Sequence, residues 1–226
     1  MAEPPVHLLT ALRASDRADL EAIAVARRYR AGTTVFCEGE PSDNVVVIEQ
    51  GRAKVTSVGV DGKEVVLSVV GAGEIVGELA GLDGALRSAT LTTLEPAKVL
   101  LVRGDAFSSY LATHPAVAKL LLVVVAQRLR QADQRAVEFA TLDVIGRLCR
   151  RLAELVDAWG EPIDGGGIAL ALPLTHDDLA AWTASSREAV TKALASLRER
   201  GMVETHRRRI VVLDLDAVRR SGRLVR

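Results

Sequence analysis

The chain has 226 residues, 49% of them hydrophobic, enough to bury a sizeable core and fold as two modest domains, which excludes a mainly disordered tail. Basic and acidic side chains number 29 each, so net charge offers no global argument for a nucleic-acid partner. The distribution is uneven: residues 144–226 carry 14 Lys or Arg against 11 Asp or Glu, while the residues before them carry 15 against 18. The C-terminal part is therefore the candidate for contact with a polyanion. Cys37 and Cys149 stand far apart, with no CxxC and no neighbouring His cluster, the pattern of reduced packing thiols rather than of a disulfide scaffold or zinc site. The N-terminal MAEPPVHLLT lacks the regions of a signal peptide, and the longest apolar run, 120–126, is too short to span a bilayer, so a cytoplasmic location is expected.

A short helix is expected at 15–28. From 33 to 102 the segments TTVF, NVVVIE, AKVTSV, EVVLSVV and AKVLLV read as short strands. Gly32, Gly39, Gly51, Gly62 and Gly71 punctuate them, where turns need positive φ or close backbone approach, and the whole predicts an all-β barrel or roll. At His114-Pro115 the texture changes to a long helix, proline being preorganised for a first helical turn. Its apolar positions Ala118, Leu122, Val125, Leu129, Ala132, Ala136 and Phe139 follow at alternating steps of four and three, the spacing of a coiled-coil seam. An amphipathic helix lying on its own β domain is the alternative; near 120–125 the apolar surface wraps most of the way around, so both uses are expected.

Asp143 is a hinge and N-cap candidate, opening a helix through Val156, a loop at 160–167 and a strand-like IALALPL. Thr175-His176-Asp177-Asp178 has the form of a capping box with Asp in place of the usual Glu or Gln. A turn at 183–185 leads to a second helix at 186–199, which Gly201 ends, giving helix-turn-helix spacing. MVETH and IVVLD then flank Arg207, Arg208 and Arg209 as two strands around a basic tip, the shape of a winged module. Trp159 and Trp182 read as core anchors. The expected class is α+β: a double-stranded jelly-roll type antiparallel β-roll in 1–114, a dimerisation helix in 115–141 and a winged helix-turn-helix in 142–226.

The segment 76–90, VGELAGLDGALRSAT, resembles the phosphate-binding cassette of cyclic-nucleotide-binding domains. Gly77, Glu78 and Leu79 match its Gly-Glu-Leu opening, and Arg87 falls ten residues after the glycine, followed by Ser88 and Ala89. The chemistry agrees with the spacing. A cyclic phosphodiester calls for a guanidinium fork and backbone N–H donors on a loop approached closely through glycine. Glu78 supplies the acceptor that a ribose 2′-hydroxyl needs, and Ser88 a hydroxyl for the phosphate. An ion pair between Glu78 and Arg87 on a surface loop is the bland alternative, and the three matching elements weigh against it.

The resemblance widens to the CRP/FNR family of bacterial transcription regulators and covers nearly the whole chain. It implies a homodimer that binds double-stranded DNA, touches RNA polymerase and takes a cyclic nucleotide as effector, without a metal and without enzymatic activity. Ser186, Arg187, Glu188 and Lys192 are similar to the family's recognition helix. Residues 188 and 192 share a helix face, and Arg187 stands at the helix start. Arg187 can reach guanine O6 and N7, Glu188 can accept from cytosine N4, and Lys192 can donate to guanine or phosphate. Thr175, His176 and Arg207 to Arg209 are implied as flanking DNA contacts. An exposed, salt-bridged helix is the bland alternative for this face.

Some positions depart from the family. Where the members activated by cyclic AMP carry a Thr-Ser pair that contacts adenine, this chain has Ala132 and Asp133. Asp133 can accept from adenine N6, but it pairs equally well or better with the N1–H and N2–H₂ of guanine, so cyclic GMP rivals cyclic AMP. Ala184 replaces the usual glycine of the helix-turn-helix turn, at a cost of about 1 kcal/mol if φ is positive there. His176 replaces a basic residue and makes a weaker, pH-dependent phosphate contact. His7, His114 and His206 share no ligating pattern. Two other readings stay open: a nucleotide-binding module that regulates a protein partner, and a family member that binds DNA without needing the nucleotide.

Overall fold

The computed structural model describes residues 7–171, 174–206 and 209–223. The backbone divides into two compact units, Met1–Gly59 with Val66–Ala132 and Val60–Val65 with Asp133–Arg226.

In the first part of the chain α1 (Leu8–Ala11) and α2 (Ala14–Ala22) precede β1 (Ala24–Tyr29), β2 (Thr34–Phe36), β3 (Asn44–Gln50), β4 (Ala53–Val58), β5 (Glu64–Val70) and β6 (Ile75–Val76). The short α3 (Glu78–Asp83), β7 (Thr90–Thr93), β8 (Ala97–Arg103), α4 (Gly104–Thr113) and the long α5 (Pro115–Thr141) follow. The strands form two four-stranded antiparallel sheets, in the orders β1-β8-β3-β6 and β2-β7-β4-β5, which is the expected β-roll.

Strand β3 explains why the roll needs two apolar layers. Successive strand side chains point to opposite faces, and all four of Val45, Val46, Val47 and Ile48 are buried. Val46 and Ile48 enter the roll interior with Phe36, Val76, Leu91 and Val99. Val45 and Val47 face the helical layer of Leu8, Leu20, Phe107 and, from α5, Val117, Leu121 and Val124. The seam positions of α5 turn away: Leu122 is 69% and Leu129 63% exposed, with Ala132, Ala136 and Phe139 also exposed and Val125 half-buried.

Three local readings differ from the sequence expectation. The helix expected at 15–28 stops at Ala22, because residues 24–29 pair antiparallel with residues 97–102 of β8, and strand pairing overrides the helical preference of Ala and Arg. In the turn after β5 the left-handed position is Gly73, φ 91°, two residues past Gly71. β7 begins at Thr90, the last residue of the cassette segment, where no strand was expected. Gly51, by contrast, meets both of its expected demands: φ is 84°, and a Cβ there would fall 2.5 Å from the Pro96 carbonyl oxygen.

The second part contains α6 (Val144–Trp159), β9 (Glu161–Pro162), β10 (Ile168–Leu170), α7 (His176–Trp182), α8 (Arg187–Glu199), β11 (Val203–His206), β12 (Arg209–Val212) and α9 (Leu215–Ser221). Its sheet has the order β11-β12-β10-β9, a wing beside the α7-α8 pair. Asp143 caps α6 by accepting from the Gly146 amide at 2.8 Å, and Thr175 with Asp178 forms the full reciprocal capping box of α7. Strand β10 covers the first half of IALALPL; Leu172 and Pro173 lie outside the described residues. Trp182 is buried, whereas Trp159 is half-buried at the end of α6 and anchors less than expected. A buried ionic cluster joins the end of α5 to α6: Glu138 accepts from Arg150 at 2.8 Å and from Arg151 at 2.5 Å. Among the described residues no single helix is long and apolar enough to cross a membrane.

Ala184, in the turn between α7 and α8, has φ 46°. A Cβ in this left-handed region costs about 1–2 kcal/mol, which glycine avoids. Ala184→Gly is expected to stabilise the second unit by about 1 kcal/mol, raising its thermal midpoint by about 4–8 °C for a domain of this size. Calorimetric melting checks this, and an unchanged midpoint would show that the turn stores no strain.

Candidate functional site

The cassette is built at the end of β6. Gly77 takes φ 77°, which lets the chain turn sharply into α3, and a Cβ there would collide with the Arg87 guanidinium. That turn directs Glu78 inward, and it is 2% exposed. Arg87 returns from the far end of the loop and is 4% exposed, its guanidinium carbon 4.1 Å from the centre of the Phe36 ring. Its Nη1 donates to the Gly77 carbonyl at 3.1 Å, and Nη2 donates to the Asn44 carbonyl at 2.6 Å and to Asn44 Oδ1 at 3.0 Å. Burial lowers its pKa from the ordinary value, with Asp43, Glu40 and Glu78 acting the other way. Of the five N–H donors of a guanidinium, Nε–H and one on Nη1 remain for an anion.

Glu78 is held by a residue that sequence reasoning missed. Arg128 of α5 donates from Nη1 to Glu78 Oε1 at 2.8 Å and from Nη2 to the Ile75 carbonyl. Glu78 Oε2 is buried with no hydrogen-bond partner among the described residues. A buried acceptor in that condition fits a ligand hydroxyl. The structure thus brings together Gly77, Glu78 and Arg87 and adds Arg128, Asn44 and Phe36. Glu78 and Arg87 do not form the surface ion pair of the bland reading; each is buried and has its own partners. Leu79 and Ser88 are exposed on the same loop, and Asp133 is exposed on α5.

The stripe that buries Val117, Leu121 and Val124 runs at steps of four and three, and its next position is 128. An arginine on the inward face of an otherwise apolar stripe is a signal that the sequence offers.

In the second unit α7 and α8 carry most of the described residues expected to face DNA. Ser186 caps α8 by accepting from the Ala189 amide at 3.2 Å, and Arg187, Glu188 and Lys192 are exposed on its first turns. Glu188 has a lowered pKa, chiefly through its own backbone amide and then the Ser186 hydroxyl, so it is an ionised acceptor. Arg187 lies 3.6 Å from Asp177 of α7, an exposed pair of little strength. Thr175 stands at the start of α7, and His176 Nδ1 is 3.1 Å from Thr191 Oγ1. Arg209 is exposed on β12, while Arg207 and Arg208 lie outside the described residues. No group of three or more His, Cys, Asp or Glu side chains is arranged to hold a metal among the described residues.

A cassette of this geometry ahead of a winged helix-turn-helix defines a class, DNA-binding regulators that carry a nucleotide-binding domain, and comparison with known proteins makes it specific. Residues 26–114 match the cyclic nucleotide-binding domain family, and residues 146–221 match the Crp-like helix-turn-helix domain family. The chain is 32% identical over 195 residues to the CRP-like cAMP-activated global transcriptional regulator of Mycobacterium tuberculosis, covering 86% of this chain and 87% of that one. It is 27% identical over 190 residues to the cAMP-activated global transcriptional regulator CRP of Haemophilus influenzae, covering 82% of each. Among solved structures it resembles a CRP-family transcriptional regulator of Thermus thermophilus, with TM-score 0.73, 27% identity and coverage of 87% and 96%. The fold also matches the c-di-GMP responsive global regulator of Xanthomonas campestris, with TM-score 0.80, 24% identity and coverage of 89% and 100%. The chain belongs to the CRP/FNR family of transcription regulators, with a cyclic nucleotide-binding domain and a Crp-like helix-turn-helix domain, and it is not an enzyme.

Breaking a buried ion pair costs about 3–5 kcal/mol, because one charge is left uncompensated. Arg128→Met is therefore expected to destabilise the roll by about 3 kcal/mol, and adding Glu78→Gln to recover most of that. Urea unfolding of both variants measures it; equal stability of wild type and Arg128→Met would show that Glu78 needs no counter-charge.

Proposed function

We propose that the protein is a homodimeric promoter-binding regulator whose DNA affinity is set by a cyclic nucleotide held in the cassette. The carrying observation is a buried carboxylate oxygen without a hydrogen-bond partner among the described residues, Glu78 Oε2, beside a buried guanidinium that keeps two N–H donors among those residues, on a loop that turns at a left-handed glycine. Arg87 takes the cyclic phosphate with the loop amides and Ser88, Glu78 accepts from the ribose hydroxyl, and Leu79 lies along the loop. Asp133 offers its carboxylate to the base. Cyclic AMP is the first choice from the named relatives, and cyclic GMP its rival because Asp133 suits the guanine N–H donors.

The domain limits 1–114, 115–141 and 142–226 are proposed on the same grounds. Leu122, Val125, Leu129, Ala132, Ala136 and Phe139 form the seam between two copies, which is supported by the exposure of most of its apolar side chains. Nucleotide binding favours one arrangement of the 139–143 region, in which the two winged helices stand about 34 Å apart, one DNA turn. Arg187, Glu188 and Lys192 then read base edges, and Thr175, His176, Ser186 and Arg207 to Arg209 hold phosphates. Contact with RNA polymerase and a cytoplasmic location follow from the family.

Calorimetric titration with cyclic AMP and with cyclic GMP is expected to show binding of at least one, abolished by Arg87→Ala. Unchanged binding by that variant would remove Arg87 from the site. Affinity for duplex DNA is expected to fall steeply with salt, because phosphate contacts release counterions. A flat salt dependence would favour the module that regulates a protein partner, and equal operator affinity with and without nucleotide would leave a constitutive binder.

A further inference from the structure

The hydrogen bonds around His176 fix which of its nitrogens carries the proton. The Thr191 hydroxyl has one hydrogen, and its oxygen lies 2.8 Å from the Arg187 carbonyl one turn back, where that hydrogen is donated. The 3.1 Å contact between Thr191 Oγ1 and His176 Nδ1 is then carried by the imidazole, Nδ1–H donating to the hydroxyl oxygen. In the neutral ring Nε2 is left as a bare lone pair. A phosphodiester oxygen has no hydrogen to offer and needs a donor, so the neutral ring has nothing to give it. Protonation places N–H on Nε2 and supplies both the donor and a positive charge.

We infer that His176 contacts a DNA phosphate only as the imidazolium, so that DNA binding takes up a proton at each winged helix. The inference rests on the promoter-binding reading above. The charged groups around the ring are of both signs. On α7 Asp177 and Asp178 are acidic, and Asp178 is engaged with the Thr175 amide and hydroxyl. From α8 come Thr191 and, on the same surface, Arg187. From the wing, His206 of β11 and Arg209 of β12 line the same cavity as His176, with Leu155 of α6, Leu170 of β10 and Leu194 of α8 as its apolar part. His206 lies 3.4 Å from Glu204 and is the other imidazole that any test must separate.

The sign follows from linkage. If the complex holds one more proton than the free protein, affinity rises as pH falls and weakens as pH rises through the imidazole range. The experiment uses the full chain, in parallel with saturating cyclic AMP and with saturating cyclic GMP, and a random-sequence duplex of about 30 base pairs at low salt, where phosphate contacts dominate. Affinity is measured at about pH 6, 7 and 8 for wild type, His176→Gln, Thr191→Val and His206→Gln. Wild type is expected to lose affinity with rising pH, towards about tenfold per pH unit for each protomer engaged. His176→Gln, whose amide N–H does not titrate, is expected to bind with a nearly flat profile. Thr191→Val removes the acceptor that holds the proton on Nδ1, freeing the neutral ring to present Nε2–H, and its profile is expected to flatten although the histidine remains. His206→Gln is expected to keep the wild-type slope. A wild-type chain that binds with no pH dependence, or a slope that survives in His176→Gln or vanishes in His206→Gln, overturns the inference alone. Wild type that binds no duplex at any of these pH values overturns the promoter reading itself.

Discussion

Burying a carboxylate costs several kcal/mol unless a cation and further hydrogen bonds compensate it, and among the described residues Glu78 is hydrogen-bonded on one oxygen only, by Arg128. Much of the N-terminal unit can be understood from that condition. Arg128 reaches Glu78 because α5 lies on the roll, and α5 lies on the roll because Val117, Leu121 and Val124 complete the layer begun by Val45 and Val47. Gly77 turns the chain so that Glu78 points in, and Arg87 is parked on the Gly77 and Asn44 carbonyls beside it. A polar cluster held this way is preorganised, because most of its desolvation cost is met in folding.

Helix α5 carries two unlike faces. Along the inward face, apolar residues give way to Arg128 and further on to Glu138, which is clamped by Arg150 and Arg151. The outward face stays apolar, with Leu122, Leu129 and Phe139 exposed. Fully burying one such side chain is worth about 1.5–3 kcal/mol, so two copies of a seam this long have ample reason to associate. The inward charges have a different effect. A buried pair contributes little net stability but is costly to break, which favours discrete arrangements of the helix end over gradual ones.

How much of this was legible follows the distance over which each feature is encoded. Gly77, Glu78 and Arg87 lie within eleven residues, and their chemistry is local, so the cassette could be read directly. The capping boxes and turns of the second unit, including positive φ at Ala184, are equally local. Asn44 and Phe36 could not be found, because β-roll topology brings them to Arg87 from 43 and 51 positions away along the chain. Arg128 lies between these cases: it is 50 residues from Glu78, yet the stripe on α5 points to it. Strand β1 was misread as helix since its sequence, AVARRY, favours a helix and only pairing with β8 makes it extended.

On the function proposed above, the cassette and the winged unit handle anions by opposite means. In the cassette the guanidinium of Arg87 is buried and held by three oxygen acceptors, so its strength comes from low dielectric and fixed geometry and is little screened by salt. On the winged unit Arg187, Lys192 and Arg209 are exposed, and the Arg187–Asp177 pair at 3.6 Å is too weak to compete with a better partner. Such side chains remain adaptable and exchange water and counterions for phosphate, which gives long reach and strong salt dependence. On that reading the asymmetry suits a regulator, which joins a selective, salt-tolerant site for one small ligand to a surface that slides on any duplex before stopping at the right one.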